Sequence, residues 1–254
     1  MSNVKKAGPR VPVSSSPLRT WDFFETTLVA LIAYGVLTET GWYAAIFAFK
    51  AYGSFEAYSP AELRAAWLRL HGTWQGAGSI VAVLPTIAVL WVAIRMAGRG
   101  FVEYLALNWP TPRETAVAFG VMSIVMVGES LLGYLVGAKS GVTHSHLAVL
   151  GPSGLMIMLI GSCIAAPVAE EFLVRGFMFR GWSQSFPGAT GAIVLTSAAW
   201  AMNHTQYDWF LQLKIFGEGV VLAYFRWRTA STWLTIMIHS AINTFVFLPI
   251  GSYV

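Results

Sequence analysis

An all-α, polytopic transmembrane bundle is the fold class this sequence predicts. Two observations predict it. The 254 residues are 56% hydrophobic and only 11% charged, with a mean hydropathy of +0.61, where a soluble domain carries about 25% charged residues. Several apolar stretches also reach the roughly 20 residues that a helix needs to cross a hydrocarbon core. A soluble chain of this length would have no way to cover so much apolar surface. The net charge of +4 does not point to nucleic acid, because no basic run interleaves with aromatic residues. The single cysteine, Cys163, permits no intrachain disulfide.

The elements follow in order. Residues 1–21 hold Lys5, Lys6, Arg10 and Arg19 in a Pro/Ser-rich stretch and are expected to form a polar cytosolic tail. The apolar segment behind them runs too long for a signal peptide and has no clear cleavage site. Residues 22–254 are expected to form one membrane domain of about seven spans, near 23–49, 77–98, 112–137, 154–182, 188–205, 208–227 and 230–250. Ser59-Pro60-Ala61-Glu62 has the form of a capping box with proline at the first helical position. Leu63, Trp67 and Leu70 recur behind it at helical spacing, which predicts a further helix on the membrane surface or packed as a loop, an eighth in all. Thr111-Pro112-Arg113-Glu114 repeats the same grammar at the start of the third span.

Charge predicts the topology. With the N-terminus in the cytosol and seven alternating spans, eleven basic residues fall on the cytosolic side: Lys5, Lys6, Arg10, Arg19, Arg95, Arg99, Arg113, Arg175, Arg180, Arg226 and Arg228. Only Lys50, Arg64, Arg69 and Lys139 fall on the other. That asymmetry fits the positive-inside rule. The small size and the Ala/Gly/Trp-rich style suggest a bacterial plasma membrane.

Polar residues inside apolar spans carry the functional signal. Glu170 and Glu171 are adjacent in the fourth span, and each carboxylate at such depth costs at least about 2.5 kcal/mol. Glu171 and Arg175 stand four apart, in the favourable order for a helical ion pair. His204 ends the fifth span, and His239 and Asn243 share one face of the seventh. From the cytosolic ends of their spans, Glu170, His204, His239 and Asn243 lie at roughly 18, 25, 15 and 21 Å of helix rise. One middle layer therefore holds them all. A carboxylate with a histidine can hold and deprotonate a water. A second histidine with an asparagine amide can donate to a developing oxyanion. Together they could hydrolyse a peptide bond with no covalent enzyme intermediate. No Ser-x-Lys, Gly-x-Ser-x-Gly or His-Glu-x-x-His pattern competes.

Glu170-Glu171-x-x-x-Arg175, Trp200-x-x-x-His204 and His239-x-x-x-Asn243 resemble the three motifs of the CAAX prenyl protease and bacteriocin-processing family. That family includes the Ras-converting prenyl endopeptidases and bacterial intramembrane proteases once called abortive-infection proteins. The resemblance covers about 154–250, and Phe101 to Arg113 is weakly similar to the amphipathic connector of bacterial members. It implies an intramembrane glutamate-type endopeptidase acting on a membrane-associated or lipidated peptide or protein. Glu170 and His204 would activate the water, His239 and Asn243 would form the oxyanion hole, and Glu171 and Arg175 would support the site. The family's second motif usually begins with phenylalanine, and here it begins with Trp200, which implies a reshaped pocket.

Other readings stand beside this one. Glu170, His204 and His239 are also zinc-ligand types, so a zinc-dependent form of the same protease is open, although no compact spacing forces metal binding and no cofactor is expected. A non-proteolytic protein that binds hydrophobic peptides, such as an immunity protein, would keep the fold without needing two acids at mid-membrane. Transport is disfavoured by the lack of an inverted repeat. Glu129 in the third span is either a cavity-lining pocket residue or a structural one. Lys214 and Glu218 are expected to neutralise one another, and His144 and His146 sit in a loop.

Overall fold

The computed structural model describes residues 19–52, 59–137 and 151–247. The polar tail up to Leu18, and with it Lys5, Lys6 and Arg10, lies outside the described residues, as do Lys139, His144 and His146. Every regular element among the described residues is helical. They are α1 (Phe23–Tyr52), α2 (Pro60–Met96), α3 (Phe101–Tyr104), α4 (Pro112–Leu135), α5 (Gly151–Ser183), α6 (Gly188–Met202), α7 (Trp209–Thr229) and α8 (Thr232–Phe247).

Caps fix several starts. Asp22 accepts from the Glu25 backbone N–H at 2.9 Å, and Glu25 accepts in return from the Asp22 N–H at 3.1 Å. This box opens α1, with Arg19 paired to Glu25. Thr111 and Glu114 form the expected capping box ahead of α4. At Pro60 the expectation of a separate surface helix gives way. Residues 60–71 run without a break into the second span as the 37-residue α2. At 1.5 Å per residue α2 is about 55 Å long, well beyond a hydrocarbon core of about 30 Å. The side chains of Glu62, Leu63, Trp67 and Leu70 lie outside the described residues.

Among the described residues four helical segments are long and apolar enough to cross a membrane: Phe23–Phe47, Gly72–Met96, Pro112–Leu135 and Gly151–Ser183. α6 and α8 are apolar but span only 15 and 16 residues, and α7 carries Lys214, Glu218, Arg226 and Arg228. The three segments that fall short of the seven expected spans are thus the ones that pack around the polar residues. Leu28, Leu31, Ile124, Val127 and Leu131 point outward from α1 and α4, as lipid-facing side chains do.

One end of the bundle gathers the start of α1, the end of α2, α3, the start of α4, the end of α5 and the α7–α8 turn. Trp21 donates its indole N–H to the Ala93 carbonyl at 3.1 Å, and Trp182 donates to Thr27 at 3.1 Å. The segment after α3 clasps the α7–α8 turn. Thr232 N–H donates to the Ala106 carbonyl at 2.9 Å, Asn108 donates to the Ala230 carbonyl at 2.8 Å, and Leu107 bridges Ser231 in antiparallel fashion. Arg19, Arg95, Arg99, Arg113, Arg180, Arg226 and Arg228 all belong to elements that meet at this end.

Close approach of α2 and α5 depends on glycine. A Cβ on Gly76 would lie 2.5 Å from the Ile157 carbonyl oxygen, and one on Gly161 would overlap the Gly76 backbone. Such small-residue contacts let helices meet backbone to backbone in a membrane. Gly161→Ala is expected to destabilise the protein by about 1–3 kcal/mol through overpacking, measured as a lowered thermal unfolding midpoint.

Candidate active site

α5 carries both glutamates, and it is not a uniform α-helix. Two wider, π-helical stretches, Gly161–Ala165 and Phe172–Met178, flank the α-helical Ala166–Glu171. Such stretches are rare and recur at functional sites. Glu170 and Glu171, at the C-terminal end of the central segment, leave the helix toward different neighbours.

Glu171 points into the protein core and is fully buried. Its Oε1 accepts from Arg175 Nη1 at 2.8 Å and from His239 Nδ1 at 3.0 Å. Arg175 is also fully buried, with Nη2 reaching the Gly219 carbonyl at 3.4 Å. Its guanidinium lies over the Trp200 ring, 4.4 Å from the centroid, a favourable cation–π arrangement. Arg175 therefore does not belong with the basic residues of the bundle end, where the charge count set it. The ion pair with Glu171 and the face of Trp200 hold it in the core.

Glu170 faces the other way. Trp200 on α6 donates its indole N–H to Glu170 Oε2 at 2.8 Å. His204, one turn on, places Nδ1 2.8 Å from the Trp200 carbonyl oxygen. The Trp200 ring meets both imidazoles edge-on, with centroids 5.3 Å from His204 and 5.0 Å from His239. Tyr207 stacks on His204, with ring planes 10° apart. Gln212 donates to the His204 and Tyr207 carbonyls and ties the α6–α7 turn to the site.

Glu170, Trp200 and His204 line one cavity of about 400 Å³. Other walls include Tyr34, Thr38 and Trp42 of α1, Gln75 and Ser79 of α2, Ser162 of α5, and Asn203 and Gln206 on either side of the histidine in the chain. The cavity reaches from mid-bundle toward the end opposite the clasp. Sequence reasoning missed these walls. Single polar residues such as Thr38 and Gln75 carry no spacing signal. The Gly72-x-x-x-Gly76 pattern on α2, a small-xxx-small motif, was the available hint that α2 packs tightly here.

His239 and Asn243 do not line this cavity. His239 stands behind Trp200 on the buried side of Glu171. Asn243 donates to the Ser162 carbonyl at 2.7 Å, so it meets the cavity wall from behind. Glu129 is not at the cavity either. Its carboxylate faces α7, where a Cβ on Gly217 would come within 2.8 Å of Oε1, and its Oε2 is buried without a partner. Lys214 and Glu218 form no ion pair within 4.0 Å among the described residues.

Glu170, His204 and His239 do not gather around one point in this structure. A catalytic zinc needs three ligands around one point. The Trp200 indole stands between His204 and His239, and His239 gives Nδ1 to Glu171. Among the described residues no three His, Cys, Asp or Glu side chains group closely enough to hold a metal ion.

Residues 152–245 match the family model described as type II CAAX prenyl endopeptidase Rce1-like. The match runs from the first turn of α5 almost to the end of α8. It includes Glu170, Glu171, Arg175, Trp200, His204, His239 and Asn243, and excludes α1, α2 and Glu129. No curated protein and no solved structure shows significant similarity to the chain.

Proposed function

We propose, for a chain whose residues 152–245 match the type II CAAX prenyl endopeptidase Rce1-like family model, that Glu170 and His204 activate a water for direct attack on a peptide bond. That match supports a CAAX-type intramembrane protease that acts on prenylated proteins at a membrane. The observation that carries the finer reading is the shared cavity: one open carboxylate and one imidazole face the same space of about 400 Å³.

In this reading Glu170 is the general base, and Trp200 holds one of its oxygens so that the other is free for the water. His204 takes or returns the proton. His239 and Asn243, the oxyanion donors that the resemblance implies, do not line the cavity, and this reading gives them positioning roles beside Glu171 and Ser162. Glu171 accepts from His239 Nδ1, so it fixes the ring tautomer, and Arg175 neutralises Glu171. Neither Glu171 nor Arg175 lines the cavity, which supports positioning rather than catalytic roles for both. The substrate would enter from the end opposite the clasp, toward which the cavity runs. A bacterial plasma membrane with a cytosolic N-terminus remains the proposed setting, on the charge asymmetry.

Comparative proteomics of membranes carrying wild type or Glu170→Gln tests the reading. At least one membrane-associated peptide is expected to stay uncut only in the variant, and identical peptide inventories would refute it. Trp200→Phe separates the indole N–H from the aromatic ring. Loss of that hydrogen bond should lower kcat about tenfold with KM little changed, the equivalent of about 1.4 kcal/mol.

A further inference from the structure

A group of cations outside the active site is short of counter-charge. Arg226, in the last turns of α7, is 95% buried, since 5% of its surface is exposed. No carboxylate pairs with it among the described residues, and its Nε is buried without a hydrogen-bond partner. Its guanidinium lies 5.4 Å from the centroid of the Phe179 ring. The next residue, Arg180, is a like charge close enough to act on it. Arg180 gives Nη2 to Glu103 at 2.8 Å, and Arg99 gives Nη2 to the same oxygen of Glu103 at 2.9 Å. The Nε atoms of Arg180 and Arg99 are likewise buried and unpartnered. Two of the three guanidiniums thus share one carboxylate, and Arg226 has none among the described residues.

A guanidinium cannot lose its proton in a protein. Burying one without an anion is unfavourable, and a second cation beside it adds repulsion. An arrangement of this kind is stable when an outside anion completes it. The fold says where that anion sits. Arg226, Arg180 and Arg99 lie at the clasped end of the bundle, where α2, α5 and α7 end. Trp109 and Trp227 are exposed there, the depth at which tryptophans meet lipid headgroups. Forked guanidinium donors suit the oxygens of a phosphate.

We infer that Arg226, with Arg180 and Arg99, forms an anion site at the headgroup level of the bundle for a phosphate group, supplied by an anionic membrane lipid or by free phosphate. The site is separate from the Glu170 cavity and is independent of the proposed proteolysis.

Thermal unfolding of the full chain in nanodiscs tests it. Wild type is compared in phosphatidylcholine, in phosphatidylcholine with phosphatidylglycerol, and in phosphatidylcholine with added inorganic phosphate. Ligation should raise the midpoint by about 2–4 °C. Arg226→Gln should lose that increment, Arg180→Gln should reduce it, and the exposed neighbour variant Arg228→Gln should keep it. In phosphatidylcholine alone Arg226→Gln should be at least as stable as wild type, because it removes an uncompensated charge. A rise with phosphatidylglycerol only identifies lipid as the source, and an equal rise with inorganic phosphate identifies the free anion. No rise in wild type overturns the inference, as does the same rise in Arg226→Gln. Should Arg226→Gln fail to insert, a full increment in Arg180→Gln overturns it.

Discussion

Arg175→Met should be the most destabilising single substitution in the core, lowering stability by about 3–5 kcal/mol. The loss does not come from the side chain's bulk, which methionine largely replaces. It comes from Glu171, which would stay fully buried without its guanidinium, held only by polar neighbours such as His239 Nδ1. A buried carboxylate without its cation is far less favourable than the pair. The double variant Glu171→Gln/Arg175→Met removes both charges and should recover most of the loss. At about 2–4 °C per kcal/mol for a chain of this size, the single variant should unfold roughly ten degrees below wild type. An unchanged midpoint would mean that Arg175 is not held by Glu171, and that the buried half of the site is built otherwise. The same variants report on function. In the double variant a neutral amide replaces the carboxylate that holds His239 Nδ1, a weaker acceptor, so activity should fall even at temperatures where the fold survives.

The lesson of Arg175 shows where reading from sequence stops. Four-residue spacing made the pair with Glu171 legible, because i and i+4 meet on any helix of this kind. Depth was not legible. Arg175 is only seven residues from Trp182, close enough to the span end to pass for a flanking charge. The two π-helical stretches in α5 and the Trp200 face that receives the guanidinium are tertiary facts without a local signature. The four long spans were legible because hydrophobicity over about 20 residues is a local property. The Thr111 cap was legible because its partners are three residues apart. Depth arithmetic brought His204 and His239 to one layer, and the structure places both against Trp200. It could not tell that this ring would stand between them, with one histidine at the cavity and the other behind it. Nor could it find Tyr34, Thr38 and Gln75, whose role depends on how α1 and α2 fold over α5.

The second large effect belongs to Glu170 and His204. Each variant, Glu170→Gln or His204→Ala, should lower the cleavage rate by about 10²–10⁴-fold, the contribution of a positioned general base or acid. Stability should hardly change. Glu170 keeps an isosteric amide that still accepts from Trp200, and His204 is only half-buried at the cavity edge. Combining the two should cost little more than either alone, since both act on one water. That non-additivity separates a joint role from two independent structural ones.

The most direct measurement uses purified protein in nanodiscs, with a farnesylated peptide ending in a CAAX sequence as substrate. Wild type, Glu170→Gln and His204→Ala are assayed side by side, with and without a zinc chelator. The account predicts cleavage by wild type that survives chelation and is lost in both variants. Wild-type rates in Glu170→Gln, or activity that vanishes with the chelator and returns with zinc, would contradict it.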